Sequence, residues 1–119
     1  MKPLENFENF LQRFNHCKDG EFRSVELISS SQIVFTFTVQ DEARGFDWIT
    51  VKIEFNGIID AKLINDSQLS LLDMENGITL LKEGNQLAFA IGECYNISTI
   101  KNSICFVISQ TIKYEEGIF

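Results

Sequence analysis

Two hydrophobic periods divide the chain. Phe7, Phe10, Leu11 and Phe14 recur at i, i+3, i+4 and i+7, the apolar stripe of an amphipathic helix that rests on a sheet. Pro3 suits the first turn of that helix. Glu5 and Glu8 sit near the positive end of its dipole, and Arg13, His16 and Lys18 near the negative end. Asp19-Gly20 is its stop signal. Beyond Gly20 the period becomes two. Val25 and Leu27 alternate with polar neighbours, and Ser29-Ser30-Ser31 turns the chain. Ile33, Phe35, Phe37 and Val39 then share a face, with Val34, Thr36, Thr38 and Gln40 opposite. Ile49, Val51, Ile53 and Phe55 repeat the pattern, with Trp48, Thr50, Lys52 and Glu54 opposite. These are half-buried antiparallel strands.

Asn56-Gly57 predicts a hairpin, and matching of the two faces selects its register. A two-residue loop would pair Val51 with Lys62 and Ile53 with Asp60. A three-residue loop, Phe55-Asn56-Gly57, pairs Ile53 with Ile59, Val51 with Ala61 and Lys52 with Asp60, with Gly57 in the left-handed position of a bulge. The second satisfies both faces and is preferred, since a slip of one residue inverts a strand. Residues 66–75 read either as a short helix, capped at Asp66 or Ser67 and ended by Asn76-Gly77, or as an irregular strand. Glu83-Gly84-Asn85 marks a further hairpin. Ile104, Phe106, Ile108 and Ile112 lie in a last long strand that ends near Glu115-Glu116. The expectation is one α+β domain over 1–119, with an N-terminal helix packed on a twisted antiparallel meander of about six or seven strands. Phe10, Phe14, Phe35, Phe37, Val51 and Ile53 form its core.

Composition narrows the function. A formal net charge of −7 repels phosphates and argues against nucleic-acid binding. It either keeps the protein soluble or steers a basic partner. Three cysteines, an odd number, and a start without an apolar signal segment point to free thiols in the cytoplasm. The sequon Asn96-Ile97-Ser98 then has no role. No run approaches the ~20 apolar residues of a membrane span.

Catalytic chemistry finds little support. His16 is the single histidine, and its neighbour Cys17 would point about 100° away on a helix. No Cys-x-x-Cys clip offers a zinc site, and Cys105, between Ile104 and Phe106, suits a small buried thiol. The glycines are scattered singly, with no phosphate-cradling fingerprint. Asp41, Glu42 and Asp47 supply carboxylates, yet they occupy a turn with no sign of a cleft and read as a solvated loop. The expectation is no catalytic residue, no metal and no cofactor. Trp48 is different: it falls on the polar face of its strand. Either a second layer covers it, through Ile64 or residues 66–75, or it anchors a partner.

The Trp48 strand, the Val51-Lys52-Ile53-Glu54-Phe55-Asn56-Gly57 segment and the acidic single-domain format resemble the small bacterial immunity proteins encoded beside polymorphic or contact-dependent toxins. The resemblance is one of size, charge and style over the whole chain, and it transfers no individual residue. It implies a stoichiometric inhibitor that caps a cognate toxin, often a basic nuclease. Independently of the resemblance, the charge of −7 and the indole on the polar face of its strand point to Asp41, Glu42, Asp47, Trp48 and Glu54 as the partner-binding surface of a monomer or homodimer. The alternatives are a structural or adaptor domain pairing through an edge strand, and a small-ligand binder or enzyme with a pocket between helix and sheet.

Overall fold

The computed structural model describes residues 1–118; Phe119, at the end of the expected domain, lies outside the described residues. In order the elements are β1 (Lys2–Pro3), α1 (Phe7–Arg13), a single 3-10 turn at Asn15–Cys17, β2 (Glu21–Ser29), β3 (Gln32–Asp41), a 3-10 turn at Glu42–Arg44, β4 (Asp47–Lys62), α2 (Asp66–Leu69), β5 (Ile78–Glu83), β6 (Gln86–Ile91), α3 (Ile97–Ile100) and β7 (Phe106–Gly117). The class is α+β: among the described residues, an antiparallel sheet of seven strands with three short helices.

The order β2-β3-β4-β7-β6-β5, with β1 on the far side of β7, is not a simple meander. Two antiparallel triplets, β2-β3-β4 and β5-β6-β7, the second with α3 in its β6–β7 connection, meet where β4 lies against β7. This pairing overturns the expected hairpin at Asn56-Gly57. β4 runs unbroken for 16 residues, and Lys52 faces Glu115, Ile53 faces Tyr114 and Glu54 faces Lys113. Opposite charges are thus paired on one face and apolar groups on the other, which a distant strand supplies better than the local turn. Gly57 does take a left-handed φ of 68°, but in mid-strand. There its N–H donates to the Ser31 carbonyl at 2.9 Å, just ahead of a register shift between Ile58 and Asp60. The strand absorbs a bulge and continues.

The six expected core residues are all buried. Phe35, Phe37, Phe55 and Phe89 pack edge-on or tilted around one another, with centroids 5.1 to 6.4 Å apart. α1 contributes Phe10 and Leu11 to the same core, and Phe10 meets the Tyr114 ring edge-on. A smaller core of Ala88, Ala90, Ile100, Phe106 and Ile108 fills the space between α3 and the opposite face of β6 and β7. Both expected hairpins, at Ser29–Ser31 and Glu83–Asn85, are present. Residues 66–69 form the helix alternative of the 66–75 segment, with Asn65 as N-cap and Leu69 buried.

Several boundaries differ from the sequence pattern. Pro3 pairs with β7, outside the helix, which instead starts at the cap of Asn6, whose side chain accepts the Asn9 N–H at 3.0 Å. The helix ends at Phe14, short of Asp19-Gly20. Asn15, His16 and Cys17 follow at φ 51°, 56° and 57°, a left-handed turn that costs about 1–2 kcal/mol per residue. It sends Cys17 into the core and leaves His16 in solvent. The segment before β5 receives it closely: the Asp19 N–H donates to the Met74 carbonyl, and a Cβ on Gly77 would sit 2.1 Å from the His16 carbonyl oxygen. Leu27, expected to be half buried, is 68% exposed at the end of the edge strand β2, and Ile104 lies exposed ahead of β7.

Candidate functional site

The five sequence-predicted residues do not form one surface. Asp41 is fully buried, which corrects its expected place on a solvated rim. The inward row Ile33, Phe35, Phe37, Val39 continues by alternation to Asp41. Its carboxylate therefore enters the protein, and arginines meet it there. Oδ1 accepts from Arg13 Nε at 2.8 Å and from the Ala43 N–H at 3.0 Å; Oδ2 accepts from Arg13 Nη2 at 2.7 Å. Arg44 Nε lies 3.2 Å from Oδ2, and Arg44 Nη2 also reaches Glu116 Oε2 at 3.2 Å. Glu116 Oε1 has no aligned hydrogen bond and is held by ion contact with Arg13 Nη1. The Arg13 hydrogen bonds, opposed in part by burial, hold the Asp41 carboxyl below its ordinary value of 3.8. The same bonds, with Glu116, raise Arg13.

This four-residue knot sits beneath the β3–β4 loop and fixes it. Asp41 caps the Glu42–Arg44 turn, and its carbonyl accepts the Phe46 N–H at 2.8 Å. Gly45 and Phe46 are both left-handed, at φ 66° and 67°. For a bulky residue that is an outlier, yet Phe46 gains little from packing, being 59% exposed. Trp48, two residues on, is 41% exposed; Ile64, Leu69 and Leu72, from the covering layer offered as one alternative, pack against the main core instead. Glu42 and Asp47 are exposed as well, but Asp47 pairs with Asp41, so along the strand it points to the side opposite Trp48. Phe46 escaped sequence reasoning, because its exposure depends on the loop conformation and leaves no periodic signal.

Glu54 stands on the Trp48 face but six residues along β4, about 20 Å away at strand spacing. It accepts hydrogen bonds from Gln32 and Asn56. Between them, on the face of β2, β3 and β4 away from the main core, Ser24, Thr36, Thr38 and Thr50 line a shallow depression of about 530 Å³ with Arg23 at its edge. α3 and the smaller core lie at the other end of this face, over β6 and β7.

Groups able to carry chemistry are dispersed. Among the described residues no three His, Cys, Asp or Glu side chains gather as metal ligands. The thiols are free, and burial pushes Cys17 and Cys105 up to about 12. Among the described residues no helix is long and apolar enough to cross a membrane. Comparison with protein-family models, with curated proteins and with solved structures gives no match.

Proposed function

We propose that the chain is a non-catalytic binding protein of the immunity type, which holds a basic toxin domain against its aromatic, acidic loop and blocks that domain by occupying its active site. One observation carries this reading: Phe46 and Trp48 are both displayed to solvent, in one segment with the exposed Glu42 and Asp47, next to the ion pairs that Arg13 and Arg44 make with the buried Asp41. Aromatic side chains presented on a rigid support are typical anchors of an interface. The net charge of −7 steers a cationic partner toward them. With α1 read as the N-terminal cover of the sheet's inner face, the bare face of β2, β3 and β4 extends the docking surface beyond the loop. The surface consists of Glu42, Phe46, Asp47 and Trp48, with Glu54 at its far margin. Asp41 belongs beneath it as a support. A cytoplasmic setting fits the free thiols.

The test is co-expression with the polypeptide encoded by the reading frame directly upstream. Growth arrest by that polypeptide alone, rescue by this chain and a one-to-one complex on purification are the expected results. A neighbour without toxicity, or toxicity that the chain leaves untouched, would overturn the proposal.

A further inference from the structure

We propose that the outer face of β2, β3 and β4 binds a saccharide, a β-linked, gluco-configured oligosaccharide that lies across the threonine row with one ring against Trp48. The register sets the groups in ranks. Gln40 faces Trp48, Thr38 faces Thr50 and Thr36 faces Lys52 across β3 and β4, and Ser24 faces Thr36 from β2. Successive ranks are about 7 Å apart along the strands, and neighbouring strands about 5 Å apart, the scale of a sugar ring. Ser24, Thr36, Thr38 and Thr50 line the depression of about 530 Å³. Trp48 lies at its end, two residues on from Thr50 and on the same face. Thr38 is the telling member. It is 2% exposed and lines the depression, yet among the described residues its hydroxyl has no hydrogen-bond partner. A polar group so enclosed ordinarily has one, and the side on which Thr38 can find it is the depression.

The lining selects the ligand. Arg23, at the edge, is answered by Glu21 at 3.4 Å, and Lys52 faces Glu115 on β7, so the charges at the margin cancel in pairs and favour no ion. In a chain of net charge −7 a phosphorylated ligand is repelled. What remains are hydroxyls, each able both to donate and to accept, beside an indole that is 41% exposed. A pyranose with equatorial hydroxyls has the matching pattern: apolar C–H groups on its flat faces and a rim of groups that donate and accept. An axial hydroxyl would stand off the ring face and hold it away from the indole, which selects the gluco configuration, and the flat sheet selects the extended β linkage. The depression is shallow, so binding is weak, with a Kd on the order of 1 mM. The site shares Trp48 and the bare face with the toxin-binding proposal, but its test needs no toxin, so either can fail without the other.

Trp48 is the single tryptophan of the chain, so its fluorescence reports this site alone. Titration of the full chain with cellotetraose is expected to change that emission along a saturable curve. Amide chemical shifts in the same titration are expected to move at Thr36, Thr38, Trp48 and Thr50. Thr38→Val keeps the shape and removes the hydroxyl, and is expected to raise Kd roughly fivefold. Thr36→Val, made independently, is expected to act in the same direction. Trp48→Ala, followed by chemical shifts, is expected to abolish saturation, and the thermal midpoint checks that each variant is folded. Maltotetraose, whose α linkages curve the chain, is expected to bind more weakly, and glycerol at equal hydroxyl concentration to give no saturable change. No saturable response to cellotetraose up to roughly 20 mM would overturn the proposal. So would shifts confined to another face, maltotetraose or glycerol acting as strongly, or a Kd unchanged in both threonine variants.

Discussion

Replacing Asp41 by Asn tests the ion-pair knot beneath the β3–β4 loop. The substitution keeps size and shape but removes the charge that faces Arg13 and Arg44 at 2.7 and 3.2 Å. Removing one partner of a fully buried pair costs about 3–5 kcal/mol. Here the arginine side chains retain 29% and 49% exposure, so water compensates part of the loss, and Glu116 still forms ion pairs with both. The asparagine oxygen can also keep the Ala43 N–H. The expected loss is about 2–3 kcal/mol, a little above one hydrogen bond to a charged group. At this chain length that corresponds to a thermal midpoint lower by about 8–12 °C.

The pH dependence carries the sign. The carboxyl of Asp41 is held below 3.8 in the folded state. Its stabilisation is therefore complete above the unfolded value and disappears as pH falls through the folded value. Urea titrations followed by circular dichroism, on both proteins from neutral pH down to pH near 3, should show a constant gap at neutral pH that begins to close in acid. An Asp41→Asn protein as stable as the wild type at pH 7 would refute the reasoning. So would a gap that widens on acidification.

Other substitutions probe the core, the bulge and the thiols. Phe37→Ala should cost about 3–5 kcal/mol in urea unfolding, since the ring is fully buried among three other phenylalanines. Gly57→Ala should destabilise measurably, because φ is 68° and the added Cβ would meet the Gln110 side chain at 2.6 Å. Gly77→Ala should cost more, because its obstacle is the His16 backbone oxygen, which cannot rotate away. In the native protein an aromatic disulfide reagent should label Cys94 first, with Cys17 and Cys105 reacting only after unfolding.

What the sequence revealed follows the range of the forces involved. The period-two rows of β3 and β4 located the core, because alternation is a local property that burial on one face imposes. The inward place of Asp41 was legible in the same way: it is the next odd position after Val39. A carboxylate at the end of an apolar row looks like the start of a loop until its arginines are known, and Arg13 is 28 residues away in sequence. The Asn56-Gly57 signal was strong locally and yielded to a partner strand some sixty residues on, which no nearby residue announces. The left-handed φ of Gly57 was nevertheless correct, since glycine marks the conformation and not the use made of it. The left-handed turn at Asn15–Cys17 has no glycine at all. Gly77 accommodates it, because its missing Cβ lets the two segments touch. The strained, exposed Phe46 likewise depends on ion pairs assembled from α1, β3, the 42–44 turn and β7.

The proposed binding of a basic toxin rests on the exposed aromatic residues of the acidic loop. It is tested most directly by the binding kinetics of the purified upstream-encoded polypeptide on wild-type chain, Phe46→Ala, Trp48→Ala and Glu42→Gln, with the thermal midpoint recorded for each preparation. Faster dissociation at nearly unchanged stability is expected for the two aromatic truncations, and slower association with a shallower salt dependence for Glu42→Gln. Affinity unchanged in all three folded variants would contradict it.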